Sequence, residues 1–472
     1  MTDQDWIVEE LATADLGDKR RKRRAMAMIA DMAARPQGSV LQFSATMAEA
    51  KGAYRLLSPQ SERAEAHDLA TGVRAGLADA CARRMAGADV VLAIQDTTCF
   101  DFHTHRATTG LGPLGGGHDG QSGQGFFLHT TLAVSAAGVP LGVLRQETWV
   151  RDPAVAKSRK RHEVPLEDRE SYRWVQSQEA VHQRLAAGAT VLTVADREAA
   201  SFELFATARP QHAHLLIRAT GRRLVGEGES RELLSEAIAN APVLGEYEVT
   251  IRRHPEHRPR AVRLVIRATT VTLPVPKSNR RSAAHDQPVR LSVIHVTEAA
   301  PQAETAKIEW LLLTDLPVPD LATAQRYVHY YSLRWLIERY HYTLKSGCRI
   351  QESQLHTREA LENLLALYCA VAWRLLWLTY AARQDEQQAC TVAFSDLEWR
   401  TLHCLSQAGE ARPVDPPPLR TVVRWLGRLG GHPGRKGDAE PGVKVLWIGM
   451  ARLTDIITGL QLAEALKDVG KA

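Results

Sequence analysis

The chain of 472 residues has no stretch of the ~18–20 uncharged apolar residues that a membrane-crossing helix needs. Its first ten residues, Met1 to Glu10, are acidic and lack an apolar centre, so they do not read as a secretion signal. The chain is therefore expected to stay in the cytoplasm, without a membrane partner. Cysteine is scarce, with six residues at 81, 99, 348, 369, 390 and 404 and no Cys-x-x-Cys pair. That spacing excludes a disulfide-framed scaffold and speaks against zinc. Excess charge is scarce too, with 59 basic against 54 acidic residues. A nucleotide-cradling loop is missing as well. Gly110-Leu-Gly-Pro-Leu-Gly has glycines, but neither a strand before it nor a clear helix after it, which argues against a nucleotide-dependent metabolic enzyme.

What is present is a hydrophobic share of 44 % over a length that suits two or three domains. The basic residues are gathered in runs. Residues 18–24 read Asp-Lys-Arg-Arg-Lys-Arg-Arg, residues 157–161 Lys-Ser-Arg-Lys-Arg, and further arginines stand at 252, 253, 258, 260, 280 and 281. Dense positive runs repel themselves unless an anion neutralises them, and DNA phosphate does so with release of counterions. Any one run reads equally as a solvated loop; four in one chain favour a polyanion partner.

Residues 1–86 are Ala/Arg-rich, with Met26, Ile29, Met32 and Ala33 at helical spacing, and predict a helical head. Strand character follows. Asp89-Val-Val-Leu-Ala-Ile-Gln-Asp96 and Ala189-Thr-Val-Leu-Thr-Val-Ala-Asp196 are apolar runs that each end in a carboxylate. Between them, Phe126–Val134 and Pro140–Arg151 predict a hairpin after a glycine-rich stretch at 109–125, and residues 167–187 predict a helix. A helix over Glu198–Ala208 and a strand over His214–Arg218 come next. Residues 244–315 alternate with period 2 and predict a β-rich insert. Long helices are expected over Leu321–Leu344 and Arg358–Tyr380. Pro413–Pro418 reads as a linker, and a last helix carries Leu453, Ile456, Ile457, Leu460 and Ala463 on one face.

In open α/β sheets functional groups gather beyond the carboxyl ends of parallel strands, where Asp96 and Asp196 are expected. Strands ~4.8 Å apart would let two such carboxylates share a cation. Taken alone, each aspartate reads first as a cap on the turn that leaves its strand. The helix beginning at Leu321 adds Tyr331, Arg334, Glu338 and Lys345, which on a continuous α-helix fall within about 60°. Such a stripe is compatible with a solvated face, but Trp335 and Tyr342 border it. A carboxylate among cations and aromatics suits a phosphate substrate, with Glu338 completing a metal site and Arg334 and Lys345 holding phosphate oxygens.

Asp96-Thr97-Thr98, Asp196-Arg197-Glu198 and the Tyr-x2-Arg-x3-Glu-x6-Lys series starting at Tyr331 resemble the bacterial DDE cut-and-paste transposases. The resemblance is to the insertion-sequence-four type, to which the Tn-five transposase belongs. It extends along nearly the whole chain. Gly52-Ala-Tyr-Arg55, Trp310-Leu-Leu-Leu-Thr314, Leu429-Gly-Gly431 and Val445-Leu-Trp447 are similar to further family segments. The chain departs from the family at Gly125-Phe126-Phe127, where a Gly-Trp-Trp-like segment is usual.

The resemblance implies an RNase H-like mixed α/β sheet with a β-rich insert at about 240–315, inside a catalytic domain of residues 87–384. It implies a helical DNA-binding domain at 1–86 and a helical dimerisation domain at 385–472. Asp96, Asp196 and Glu338 would be the catalytic residues and would bind two Mg2+ or Mn2+ ions. The reaction would be a nick at the element's end, a hairpin, its opening, and attack of the 3'-hydroxyl on target DNA. Tyr331, Arg334 and Lys345 would grip phosphates, and Trp310 would stack on a flipped base. Trp335, Arg218, Arg20 and Arg23 are counted with the DNA contacts. The partners would be double-stranded DNA, both element ends and target, and a second copy of the chain in a paired-end complex. Two alternatives stay open: a stand-alone nuclease of the same fold, and a DNA-binding regulator without activity.

Overall fold

The computed structural model describes residues 5–58, 68–115, 123–151, 166–184, 189–251, 260–276, 285–299, 307–407, 413–435 and 438–469. In chain order its helices and strands are α1 (Asp5–Glu10), α2 (Lys19–Ala34), α3 (Val40–Phe43), α4 (Met47–Leu57), α5 (Leu69–Met85), β1 (Val90–Asp101), β2 (Gly112–Pro113), β3 (Gln124–Ser135) and β4 (Pro140–Trp149). Then come α6 (Tyr172–His182), β5 (Thr190–Ala195), α7 (Phe202–Ala206), β6 (Ala213–Arg218), β7 (Leu224–Val225), β8 (Glu232–Leu233), α8 (Leu234–Ala239), β9 (Val243–Ile251), β10 (Arg260–Leu273), β11 (Val289–Glu298) and β12 (Glu309–Thr314). The last helices are α9 (Leu321–Ser332), α10 (Trp335–Tyr342), α11 (Arg358–Gln384), α12 (Asp396–Ser406), α13 (Leu419–Leu429) and α14 (Val443–Val469). The chain divides into two compact units, one of residues 1–85, 97–156 and 336–472, the other of residues 86–96 and 157–335.

In the second unit β1, β5 and β6 lie side by side and parallel, with Val90–Ile94 opposite Thr190–Val194 and Val191–Ala195 opposite Ala213–Ile217. The expected β insert is an extension of this sheet. β12 pairs antiparallel with β6, and the order runs on through β11 and β10 to β9. Alternation explains why. Val262, Leu264 and Ile266 on β10 and Leu291 and Val293 on β11 are buried, while the residues between them are less so. One face of the sheet packs on Trp174, Phe202, Phe205, Leu234 and Ile238 from the helices. The helix expected over 198–208 is shorter: a single 3₁₀ turn at Arg197–Ala199 precedes α7, which Ser201 caps through Leu204 N–H at 3.2 Å.

The first unit is organised around α11, most of whose residues are buried. By length and composition α11 is the one described helix able to cross a membrane, but it is a core helix here, 83 % of its apolar window being buried. Its few polar side chains are spent on neighbours. Asn363, 1 % exposed, accepts from Ala70 N–H at 3.0 Å and donates to Leu57 O at 2.9 Å. Tyr368 donates to Gly38 O at 3.0 Å, and the Trp373 indole to Pro140 O at 3.2 Å. The expected hairpin is present as β3 and β4, paired from Phe127↔Trp149 to Val134↔Pro140. Leu453, read from the sequence as part of one apolar face, is 1 % exposed and lies in a core with Trp399, Val422, Leu426 and Leu446. Exposed leucines begin only further along α14, at Leu460, Leu462 and Leu466.

Candidate active site and DNA contacts

β1 does not end at Asp96 as the sequence suggests. It runs five residues further, to Asp101, because Thr97, Thr98, Cys99 and Phe100 continue the β-favouring pattern beyond the parallel pairing with β5. Phe100 and Phe102 then meet Phe126 of β3 at ring distances of 5.5 and 5.6 Å. Asp96 therefore lies within a strand, and Asp196 directly after one, each two residues beyond the paired positions Ile94 and Val194. Strands spaced ~4.8 Å apart bring such carboxylates near each other. Asp196 Oδ1 accepts from Glu198 N–H at 2.9 Å, which fixes one of its oxygens. Burial, then the neighbouring Asp196 and Glu170 carboxylates, hold Glu198 above its ordinary pKa.

The helix expected over 321–344 is interrupted. α9 stops at Ser332, and the N–H groups of Leu333 and Arg334 reach back to Tyr330 O at 3.2 Å and Tyr331 O at 3.0 Å, a tighter turn than α. α10 follows, and Thr343–Gly347 closes as a π turn. The 60° arc expected of a continuous helix does not describe this stretch. Such mid-helix irregularities often mark functional hinges. At the junction the Arg334 guanidinium stands 3.9 Å from Asp96 Oδ2, with side chains 18 % and 19 % exposed, so solvent screens the pair only in part.

Tyr331 is 4 % exposed, with Trp310 packed edge-on to its ring at 5.1 Å and 67°. Burial raises its pKa, Arg334 and Arg218 oppose the rise, and Asp196 adds to it. Arg218 donates to Glu309 O at 3.0 Å, joining the end of β6 to the start of β12 beside Trp310. Tyr331, Arg334, Trp310, Arg218 and the two aspartates thus gather in one unit; strand ends and helix spacing pointed to the aspartates, Tyr331 and Arg334, and the role of Trp310 came from the family resemblance.

Trp335 is 43 % exposed at the start of α10, and Glu338 is exposed one turn further on. Lys345, in the π turn, has its Nζ 5.7 Å from the centre of the Phe100 ring, within cation–π range. In the N-terminal segment the Asp18 carboxylate accepts from Arg20 and Arg21 N–H at 2.7 and 2.8 Å, which starts α2 just where the basic run begins. Ala25, Met28, Ile29 and Met32 bury its other face, and Arg20 and Arg23 remain exposed. The runs at 157–161 and 280–281, and the arginines at 252, 253 and 258, lie outside the described residues.

Asp96 and Asp196 supply hard oxygen donors on adjacent strands, a set that fits Mg2+ or Mn2+ and not a soft metal. Among the described residues no three His, Cys, Asp or Glu side chains stand together as a metal-holding group.

Residues 3–61 match the family of transposase DNA-binding domains, residues 170–374 the transposase DDE domain, and residues 370–470 the transposase Tn5 dimerisation domain. The DDE match makes this an enzyme that acts on DNA by phosphoryl transfer. Together the three matches support a Tn5-like DDE transposase, with DNA as partner and a segment for oligomerisation. The DDE family generally uses divalent metal ions.

Proposed function

We propose that this transposase excises a DNA element and inserts it elsewhere, by nicking each end, closing and reopening a hairpin, and joining the freed 3'-hydroxyl to target DNA. The observation that carries the reading is the placing of Asp96 and Asp196 just beyond the paired stretch of two parallel strands, beside Arg334, Arg218, Tyr331 and Trp310. The strand order β1-β5-β6, with the antiparallel β3–β4 hairpin following β1 in the chain, supports an RNase H-like core. Asp96, Asp196 and Glu338 hold the divalent ions in this reading. Such ions activate water and stabilise charge on phosphate. Arg334, Lys345 and Tyr331 orient the end phosphates, Arg20 and Arg23 with the rest of α2 hold the end duplex, and Trp335 offers an exposed aromatic face to it. Residues 1–86, 87–384 and 385–472 serve as DNA-binding, catalytic and dimerisation parts, working in the cytoplasm.

The test is gel analysis of a labelled fragment bearing an element end, with Mg2+ or Mn2+. Nick, hairpin and joined product together support transposition; nicks with no joining under any condition mark a nuclease, and binding alone a regulator.

Trp310→Ala is expected to leave the first nick near wild-type and to slow hairpin closing and opening by about tenfold or more. A base displaced by the tight hairpin needs a stacking surface worth ~1–3 kcal/mol. Single-turnover kinetics of each step decide. Equal loss at every step would make Trp310 a packing residue beneath Tyr331.

The exposed Leu460, Leu462 and Leu466 are the proposed contact with a second copy. Deleting residues 458–472 spares the buried Leu453 and is expected to abolish paired-end complexes while single-end binding persists. Sizing of protein–DNA complexes reads this out, and undiminished pairing would move the interface elsewhere.

A further inference from the structure

We infer that Arg334 is a positioning residue that occupies Asp96 until a DNA phosphate draws it away, so that end binding and metal loading are coupled. The inference rests on the metal-site reading above. Its basis is the Arg334–Asp96 pair at 3.9 Å, with both side chains about four-fifths buried. A divalent cation on Asp96 would stand within a few ångströms of the paired guanidinium, and like charges at that range in a largely buried site oppose each other. Arginine's planar fork matches phosphate oxygens in a bidentate manner, better than one carboxylate oxygen at 3.9 Å. Arg334 also sits where the chain can give. It occupies the junction between α9 and α10, where its N–H closes a three-residue turn onto Tyr331 O. Nearby Arg218 and Tyr331 complete a surface on which a phosphate near Asp196 would be met. Phosphate arriving at Arg334 thus frees Asp96 for the cation, and linkage requires the cation to tighten DNA binding by the same factor.

Two measurements test this on the full chain. The first is Mn2+ binding without DNA, read as free Mn2+ by electron paramagnetic resonance. Arg334→Gln is expected to bind Mn2+ at least about fivefold tighter than wild type. Asp96→Asn is expected to lose binding. The second is anisotropy of a labelled pre-cut end duplex closed with a 2',3'-dideoxynucleotide, which gives no hydroxyl for joining, with and without Mn2+. Wild type should gain at least about fivefold affinity with Mn2+, Arg334→Gln less than about twofold, and Arg334→Lys, which restores the charge, an intermediate factor. Thermal unfolding of each variant identifies any that fails to fold, and Arg334→Lys then carries the comparison. Wild-type Mn2+ affinity in Arg334→Gln overturns the coupling while leaving the metal site intact. Wild-type affinity in Asp96→Asn overturns the metal-site reading itself. An equal gain in Lys345→Gln would reduce the effect to bulk charge and overturn the role of Arg334.

Discussion

Asp196→Asn is expected to lower strand cleavage by about a thousandfold, ~4 kcal/mol of transition-state stabilisation, while end binding stays within about twofold. The substitution keeps size and shape, and its Oδ1 can still accept from Glu198 N–H, so the turn after β5 has no reason to change. What it removes is one negative charge beyond a strand end, where the proposed ions would be held. Asp96→Asn is expected to act in the same direction, with a second consequence, since it also releases Arg334. Asp101, the true end of β1, serves as the internal control: its carboxylate accepts from His103 N–H at 2.9 Å, and Asp101→Asn is expected to cut normally. The measurement is single-turnover cleavage at saturating protein, beside a gel-shift Kd. Cleavage within tenfold of wild type in Asp196→Asn would remove that residue from the site.

The second large effect is expected far from the chemistry. Gly430 and Gly449 let α13 and α14 cross with their backbones nearly touching. A Cβ on Gly430 would lie 1.8 Å from Val445 O, and one on Gly449 2.2 Å from Leu426 O. Neither oxygen belongs to a side chain that can swing away, so the helices must part and loosen the packing of Trp425, Leu426, Leu446 and Leu453. Gly449→Ala is expected to destabilise the protein by about 3 kcal/mol and to weaken paired-end complexes. Gly459 lies further along the same helix, and a Cβ there would meet nothing within 4 Å. Gly459→Ala is therefore expected to stabilise α14 slightly, by about 0.5–1 kcal/mol. Thermal unfolding of the two variants side by side checks the contrast. Equal melting temperatures would mean that the crossing yields more easily than its geometry implies.

These cases show how much was legible in the residues. Period-2 alternation marked the strands of the insert, because a sheet with one covered face writes its burial directly into sequence, whereas β5, buried along nearly its whole length, showed as an unbroken apolar run. It did not show that the insert joins the main sheet, since the β6–β12 pairing links residues almost a hundred apart. The aspartates stood out because each closes an apolar run, and that ending hid the continuation of β1 through Thr97-Thr98-Cys99-Phe100, whose β-favouring residues are joined by the packing of Phe100 on Phe126. The break before Trp335 left no trace at all: Ser332-Leu333-Arg334 holds neither glycine nor proline. In the same way Gly430 was visible as part of a family motif, while its physical reason, a partner backbone reached through a second helix, lies outside any local window. Leu453 shared a helical face with residues that end exposed, and periodicity alone does not say which turn of a long amphipathic helix leaves the core.

The layout of the first unit has a bearing on how the protein comes into being. Ala70 N–H and Leu57 O find their side-chain partner in Asn363, and Gly38 O finds its partner in Tyr368. At about 5–20 residues per second, tens of seconds pass on the ribosome between the emergence of the first helices and that of α11. During that interval the apolar faces of α2, α4 and α5 have no α11 to close on. A nascent chain stopped before residue 358 is therefore expected to be a substrate for chaperones and proteases, and the N-terminal helices become a competent head only once α11 has been made.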